Sequence, residues 1–190
     1  MTDHVVRAPA SSANLGAGFD VFGMAIGLYA ETGTGIAPVG AQQVDEHHPA
    51  RVSFVRLGGD GDMWLHSAIP MARGLGFSGA VRVAGAALAV VRAGATIESR
   101  CDEILAVAAD LEGHGDNVAA SLFGGVVAFV EGRSIPFRIG PVLGSAAFVA
   151  WIPDLTTSTD SSRSSLPLQV DRLDAIHNID RVSRHGQCLD

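Results

Sequence analysis

The segment that most constrains the fold is the glycine-rich stretch 69–80, which reads I-P-M-A-R-G-L-G-F-S-G-A. Residues 63–67 before it alternate between apolar and polar side chains, which predicts a strand, and the small apolar residues 81–93 after it predict a buried helix. Glycines let the backbone approach a ligand closely, and the free N–H groups at a helix N-terminus favour an anion. Two interpretations stay open: an anion-binding turn, or a structural turn in which Ser78 caps the helix.

The stretch is not a Walker loop, because the Gly-Lys-Ser/Thr ending is absent and the sequence contains no lysine. The 190 residues are 47% hydrophobic and 17% charged, which is typical of a globular chain with one sizeable core and the beginning of a second unit. A net charge of −7 argues against nucleic acid or an anionic membrane as the main partner.

Features of targeting, membrane insertion and disulfide bonding are also missing from the sequence. The first residues, M-T-D-H, do not resemble a signal peptide, and no apolar run reaches the roughly 18 residues of a membrane span. The two cysteines form no disulfide framework and no zinc motif. We therefore expect a cytoplasmic protein.

The pattern along the chain predicts a mixture of helices and strands. Strands are predicted at 4–9, 25–31, 34–39, 63–67, 124–131, 134–139 and 145–152. Helices are predicted at 48–57, 81–93, 99–111, 118–123 and 170–182. The stretches 10–20 and 41–47 are predicted to be loops.

Two further groups of polar residues are candidate sites. Asn14 and Asp20 lie in the small-residue stretch 10–20, where hydrogen bonds of an Asx turn are an equally good explanation. The second group crowds a helix boundary, and it consists of Asp110, His114, Asp116 and Asn117. A helix N-cap would explain Asp116 or Asn117 but not all four residues.

Three further segments accompany 69–80 along the chain, namely 9–20 (P-A-S-S-A-N-L-G-A-G-F-D), 111–125 (L-E-G-H-G-D-N-V-A-A-S-L-F-G-G) and 151–167 (W-I-P-D-L-T-T-S-T-D-S-S-R-S-S-L-P). In this order, the four segments resemble motifs of the homoserine kinases, which belong to the GHMP kinase superfamily. The resemblance implies an α+β fold: a GHMP-kinase N-terminal α/β domain with a left-handed β-α-β crossover in residues 1–142, and the beginning of a ferredoxin-like C-terminal domain in residues 143–190.

The resemblance also implies transfer of the γ-phosphate of ATP to the side-chain hydroxyl of L-homoserine, a step of threonine biosynthesis. Two alternatives remain: a GHMP kinase acting on another small alcohol, or a catalytically inert domain that binds nucleotide.

Roles for individual residues follow from the resemblance, position by position. The ATP phosphates would be bound by Pro70, Arg73, Gly74, Leu75, Gly76, Phe77, Ser78, Gly79 and Ala80. Mg²⁺ would be held by Ser78 and Asp110. The amino-acid substrate would be bound by Asn14, Asp20, His114, Asp116, Asn117 and Arg163, with Asp20 and Asn117 as the catalytic residues.

The sequence departs from the family pattern in several places. Phe77 stands where the phosphate motif has its first serine, Asp110 stands where the family has a glutamate, and Gly115 replaces a proline. The third family motif, a glycine-rich loop near the C-terminus, has no counterpart, and most of the second domain is expected to be missing. We therefore expect exposed apolar surface, impaired catalysis, and self-association, for example as a homodimer.

Overall fold

Two long strands joined by a tight hairpin form the longest pairing of the sheet in the computed structural model, which describes residues 3–152 and 166–188. Strand β1 (Val5–Leu15) runs antiparallel to β2 (Gly18–Gly33), from the pair Val5–Gly33 to the pair Leu15–Gly18. The opposite edge of β2 pairs with two different strands. Its C-terminal part pairs with β4 (Trp64–Ser67), and its N-terminal part pairs with β5 (Val126–Val130).

Two short strands complete the sheet. Strand β3 (Gln42–Gln43) pairs with β4, and β6 (Arg133–Pro136) pairs with β5, so that the order is β3-β4-β2-β5-β6 with β1 on the other edge of β2. Every one of these pairings is antiparallel.

The helices are α1 (Pro49–Arg56), α2 (Phe77–Arg92), α3 (Cys101–Glu112), α4 (Asp116–Phe123), the short α5 (Pro141–Gly144) and α6 (Arg172–Cys188), with a 3₁₀ turn at Glu98–Arg100. Helix α2 is buried along most of its length, and α1, α3 and α4 pack against it. Small residues let α2 approach its neighbours closely: a Cβ added at Gly85 would lie 2.0 Å from the carbonyl oxygen of Ala50 in α1. This packing holds α2 in place, and the glycine-rich stretch leads into the N-terminus of α2 at Phe77.

The predicted fold class, α+β with helices packed on a sheet, is confirmed. The predicted helices 48–57, 81–93, 99–111 and 118–123 correspond to α1 to α4, and 170–182 corresponds to α6. The predicted strands 63–67, 124–131 and 134–139 are also present, within one or two residues at most ends, as β4, β5 and β6.

Four predictions of secondary structure are wrong, and one of them is the loop predicted at 41–47, in which Gln42 and Gln43 form β3. Residues 10–20 were expected to form a loop, yet most of them lie in β1 and β2, because the small side chains of Ala10 and Ser11 pack in the core. Residues 34–39 form no strand, since Gly35 adopts a left-handed conformation (φ +82°) and Pro38 lacks a backbone donor. Residues 145–152 form no strand either, and no other strand in the described part of the chain runs beside them.

Exposed apolar surface is present, as expected. The Trp151 side chain is 86% exposed, and one face of α6 presents Leu173, Ile176 and Ile179 to solvent. An apolar groove of about 370 Å³ opens beside β2 and is lined by residues that include Ile26 and Phe148. Among the helices of residues 3–152 and 166–188, none is long and apolar enough to cross a membrane.

Candidate functional site

The glycine-rich stretch forms a turn that leads directly into the N-terminus of α2. Ala72, Gly74 and Gly76 all adopt left-handed conformations, with φ of 56°, 70° and 63°. Left-handed residues that alternate with right-handed ones turn backbone N–H groups towards one side of the chain, where they can bind an anion. The backbone N–H of Ser11 in β1 donates to the Leu75 carbonyl (3.1 Å), which holds the turn against the sheet.

Helix α2 begins at Phe77 without a side-chain cap, so its first N–H groups are not occupied by a capping side chain. The alternative in which Ser78 caps the helix is therefore wrong. The Ser78 hydroxyl instead donates to the Glu112 carboxylate across the cavity wall (2.6 Å).

A cavity of about 350 Å³ lies in front of this turn. Its walls combine the turn, the end of β1, the end of α3 and the beginning of α4. The lining residues are Ala13, Asn14, Ala72, Arg73, Gly74, Leu75, Gly76, Phe77, Ser78, Glu112, His114 and Asn117. The glycine-rich stretch and the polar groups near residues 14 and 114–117, which lie far apart in sequence, therefore meet in one site.

The floor of the cavity is held by a buried polar network. The Asp116 side chain has no solvent exposure, and its Oδ1 lies 2.9 Å from His114 Nδ1. The same oxygen accepts the backbone N–H of Asn117 (2.8 Å). Because the Asp116 oxygen is an acceptor, this contact places the His114 proton on Nδ1. The Asn117 Oδ1 accepts the hydroxyl proton of Ser11 (2.9 Å), which ties α4 to β1.

Glu112 is a site residue that the sequence analysis missed. Its side chain is 12% exposed, and its Oε2 accepts hydrogen bonds from Ser78 Oγ and from Arg82 Nε, each at 2.6 Å. Its Oε1 lies 3.9 Å from His114 Nε2. Helical spacing could have found it, because Glu112 follows the buried Ile104 and Ala108 at intervals of four residues.

The predicted metal pair of Ser78 and Asp110 is not assembled. The Asp110 side chain is 70% exposed and faces Arg56 on the surface (3.7 Å). Glu112 takes the place beside Ser78, since residues 110 and 112 point to opposite sides of a helix. In residues 3–152 and 166–188, no group of three His, Cys, Asp or Glu side chains could hold a metal ion. Because Arg82 already neutralises Glu112, these residues do not fit a resident Mg²⁺ site.

The remaining predicted residues divide into three sets. Asn14, His114 and Asn117 line the cavity together with residues 73–78. Asp20 does not line the cavity, but its backbone N–H donates to Oδ1 of the lining residue Asn14 (2.9 Å). The third set, which does not line the cavity either, consists of the exposed Pro70 and the buried Gly79, Ala80 and Asp116. Arg163 lies outside the described residues.

His48 is a titratable residue that packs against the cavity wall. It precedes α1, its Nδ1 accepts the Ala50 N–H (3.2 Å), and its ring packs edge-on against Phe77. Burial, opposed by Asp45 and assisted by Arg82, lowers the pKa of His48 below 6.5. The unfolded chain therefore binds the proton more readily than the folded chain.

We expect the free energy of unfolding to decrease as the pH falls from 7 through the range below 6.5. The variant His48→Asn keeps an acceptor for the Ala50 N–H but cannot be protonated. Urea unfolding between pH 5 and pH 7.5 should give a shallower pH dependence for the variant than for the wild type. Equal slopes would show that His48 does not contribute.

Comparisons with known proteins show which family and which fold this chain resembles. A family model, the GHMP kinases N terminal domain, matches residues 42–125. The homoserine kinase of Moorella thermoacetica is 36% identical over 200 residues, which cover 94% of this chain and 66% of the relative. The homoserine kinase of Cutibacterium acnes is 37% identical over 198 residues, which cover 92% of this chain and 66% of the relative. The chain thus spans 66% of the length of both curated relatives.

A solved structure has the same fold. The crystal structure of homoserine kinase from Cytophaga hutchinsonii superposes with a TM-score of 0.75 and 22% identity, covering 100% of this chain and 68% of that chain.

Proposed function

Because this chain belongs to the GHMP kinase family, we propose that its cavity binds ATP and that it takes part in transferring the γ-phosphate to the side-chain hydroxyl of L-homoserine. One observation carries the proposal: the left-handed turn at the N-terminus of α2 and the polar residues Asn14, His114 and Asn117 line a single cavity. Curated homoserine kinases at about 36% identity support the choice of substrate. The setting proposed for this reaction is the cytoplasm.

The glycine-rich turn is the proposed phosphate site. Its backbone N–H groups and the positive end of the α2 dipole attract negative charge without any lysine. Arg73 adds a cation to the same wall. Phosphoryl transfer depends mainly on positioning the phosphates and neutralising their charge, which are the two things this turn can provide.

The proposed amino-acid site faces that turn. The amide side chains of Asn14 and Asn117 can each donate to a carboxylate and accept from an ammonium or hydroxyl group. The hydrogen bond from His114 Nδ1 to Asp116 fixes the orientation of the imidazole ring and therefore the position of its Nε2. Asp20, whose backbone is hydrogen-bonded to Asn14, is proposed for the ammonium group, Arg163 for the carboxylate, and Asn117 for positioning the hydroxyl that is phosphorylated.

A coupled assay of ATP consumption, with and without L-homoserine, tests the proposal. L-homoserine should stimulate ATP consumption, whereas D-homoserine should not, because the proposed contacts involve three substituents of one chiral carbon. The product should be identified as phosphohomoserine by mass. A folded chain that binds ADP but consumes no ATP with L-homoserine would contradict the proposed transfer reaction.

Binding of nucleotide without catalysis is the second candidate, and one observation favours it. Phe77 provides an aromatic ring in place of a hydroxyl at the beginning of α2. In either case we propose that residues 1–142 form the nucleotide-binding unit and that 143–190 belong to a second unit.

Replacing Gly76 tests the phosphate turn. A Cβ at this residue would lie 2.0 Å from Ser11 Oγ and 3.0 Å from Asn117 Oδ1, in addition to the strain of φ +63°. We expect Gly76→Ala to weaken ADP binding at least tenfold, because the turn must move away from β1. The control is Gly74→Ala, whose φ is +70° but whose Cβ would contact nothing within 4 Å. Calorimetry should show a clearly smaller loss for the control, and equal losses would contradict the steric explanation.

A further inference from the structure

The ion pair between Arg82 and Glu112 lies inside the wall of the candidate site. Arg82 is one helical turn beyond Ser78 in α2, and its side chain is 16% exposed against 12% for Glu112. Its Nε and the Ser78 hydroxyl donate to the same carboxylate oxygen, Oε2, at 2.6 Å. By contrast, both side chains of the surface pair between Arg56 and Asp110 are more than half exposed.

This arrangement removes two properties that an isolated Glu112 would have. An unpaired carboxylate beside the phosphate turn would repel a nucleotide, and it would attract a divalent cation able to bridge the two. Arg82 neutralises the carboxylate from inside the protein, and the two donors occupy Oε2. A divalent cation at Glu112 would also stand close to the guanidinium, whose charge is permanent.

We propose that Arg82 takes the place of a divalent cation at Glu112, so that the nucleotide binds this chain with nearly the same affinity with or without Mg²⁺. The inference rests on the proposed function, since it assumes that the cavity binds nucleotide. Any Mg²⁺ in the complex is then held by the phosphates and water, and Glu112 is not one of its ligands.

The test is the dissociation constant of ADP, measured by calorimetry with excess Mg²⁺ and with EDTA. For the wild-type chain we expect the two values to agree within about threefold. The variant Arg82→Met keeps the length of the side chain but removes its charge. With EDTA it should bind ADP at least tenfold more weakly than the wild type, and Mg²⁺ should restore most of the affinity.

Two further variants complete the design. Arg100→Met removes a partly exposed arginine that pairs with Glu103 at the end of α3 away from Glu112, and it should behave like the wild type. Glu112→Gln keeps the shape of the side chain without its charge, and it should remain insensitive to Mg²⁺. If Arg82→Met does not fold, the wild type and Glu112→Gln still decide the question.

The possible failures are distinguishable. Wild-type binding that is at least tenfold tighter with Mg²⁺, and that loses this gain in Glu112→Gln, would overturn the role of Arg82 and leave the proposed function intact. Absence of ADP binding to the folded wild type under both conditions would overturn the proposed function and this inference together.

Discussion

Replacing Asn117 by alanine should reduce L-homoserine-dependent ATP consumption by about a hundredfold or more, because the substrate loses a group that positions it. Asn117 lines the cavity beside the glycine-rich turn, and its Oδ1 is fixed by the Ser11 hydroxyl. The affinity for ADP should change by less than about threefold, since the proposed phosphate contacts come from the backbone of the turn. Turnover and ADP binding should therefore separate in this variant.

A second measurement does not depend on turnover. L-homoserine should raise the melting temperature of the ADP-bound wild-type chain, and this increase should be lost in Asn117→Ala. The control is Ser121→Ala in the same helix, because Ser121 belongs to the same buried network through its 3.4 Å contact with Ser11 but does not line the cavity. Equal loss of ADP binding and homoserine binding in Asn117→Ala would show that the two proposed subsites are not separate.

The helices could be predicted because local signals and packing agree in them. The run of small apolar residues in 81–93 is helical because α2 is enclosed by α1, α3 and α4 and by strands β1 and β2. Gly113 and Gly124, both with positive φ, end α3 and α4 where the sequence suggested. A glycine that follows a helical pattern is a strong local signal for the end of a helix, because glycine readily adopts the left-handed conformation found there.

The longest strands could not be predicted from local patterns. The alanine and serine residues of 10–13 have little preference for a strand, yet they lie in β1 because α2 and α4 pack directly on them. A Cβ at Gly23 in β2 would lie 2.3 Å from the Asp116 carbonyl oxygen. Small residues are needed where helices approach the sheet this closely, and such a requirement is a property of the tertiary structure.

The acidic residue of the site was predicted to be Asp110, but it is Glu112, and the geometry of the α-helix explains the error. Successive residues of an α-helix are rotated by about 100°, so that Asp110 and Glu112 differ by roughly 200°. The buried side of α3 carries Ile104 and Ala108, and Glu112 continues that row towards Ser78. Asp110 corresponds to the family glutamate by sequence position alone, whereas the rotation of residues along α3 directs Glu112 into the cavity.

Asp116 and Asp110 lie in different environments, so we expect substitutions of these two aspartates to change the free energy of unfolding by very different amounts. Asp116 is completely buried, and its Oδ1 serves His114 Nδ1 and the Asn117 N–H, whereas the Asp110 side chain is 70% exposed. Asp116→Ala should lower the free energy of unfolding by about 2–4 kcal/mol, because two buried donors lose their acceptor. In a chain of this size that corresponds to a melting temperature lower by roughly 5–15 °C.

Asp110→Ala should change the free energy of unfolding by less than about 0.5 kcal/mol, since it removes only a surface ion pair with Arg56. Asp116→Asn keeps one side-chain oxygen for the same donors and should lie between the two alanine variants. Urea unfolding of the three variants, measured at one pH, gives the comparison directly. If Asp110→Ala were as destabilising as Asp116→Ala, the helical phase of α3 that directs Glu112 into the cavity would itself be wrong, because residue 110 would then have to face the core.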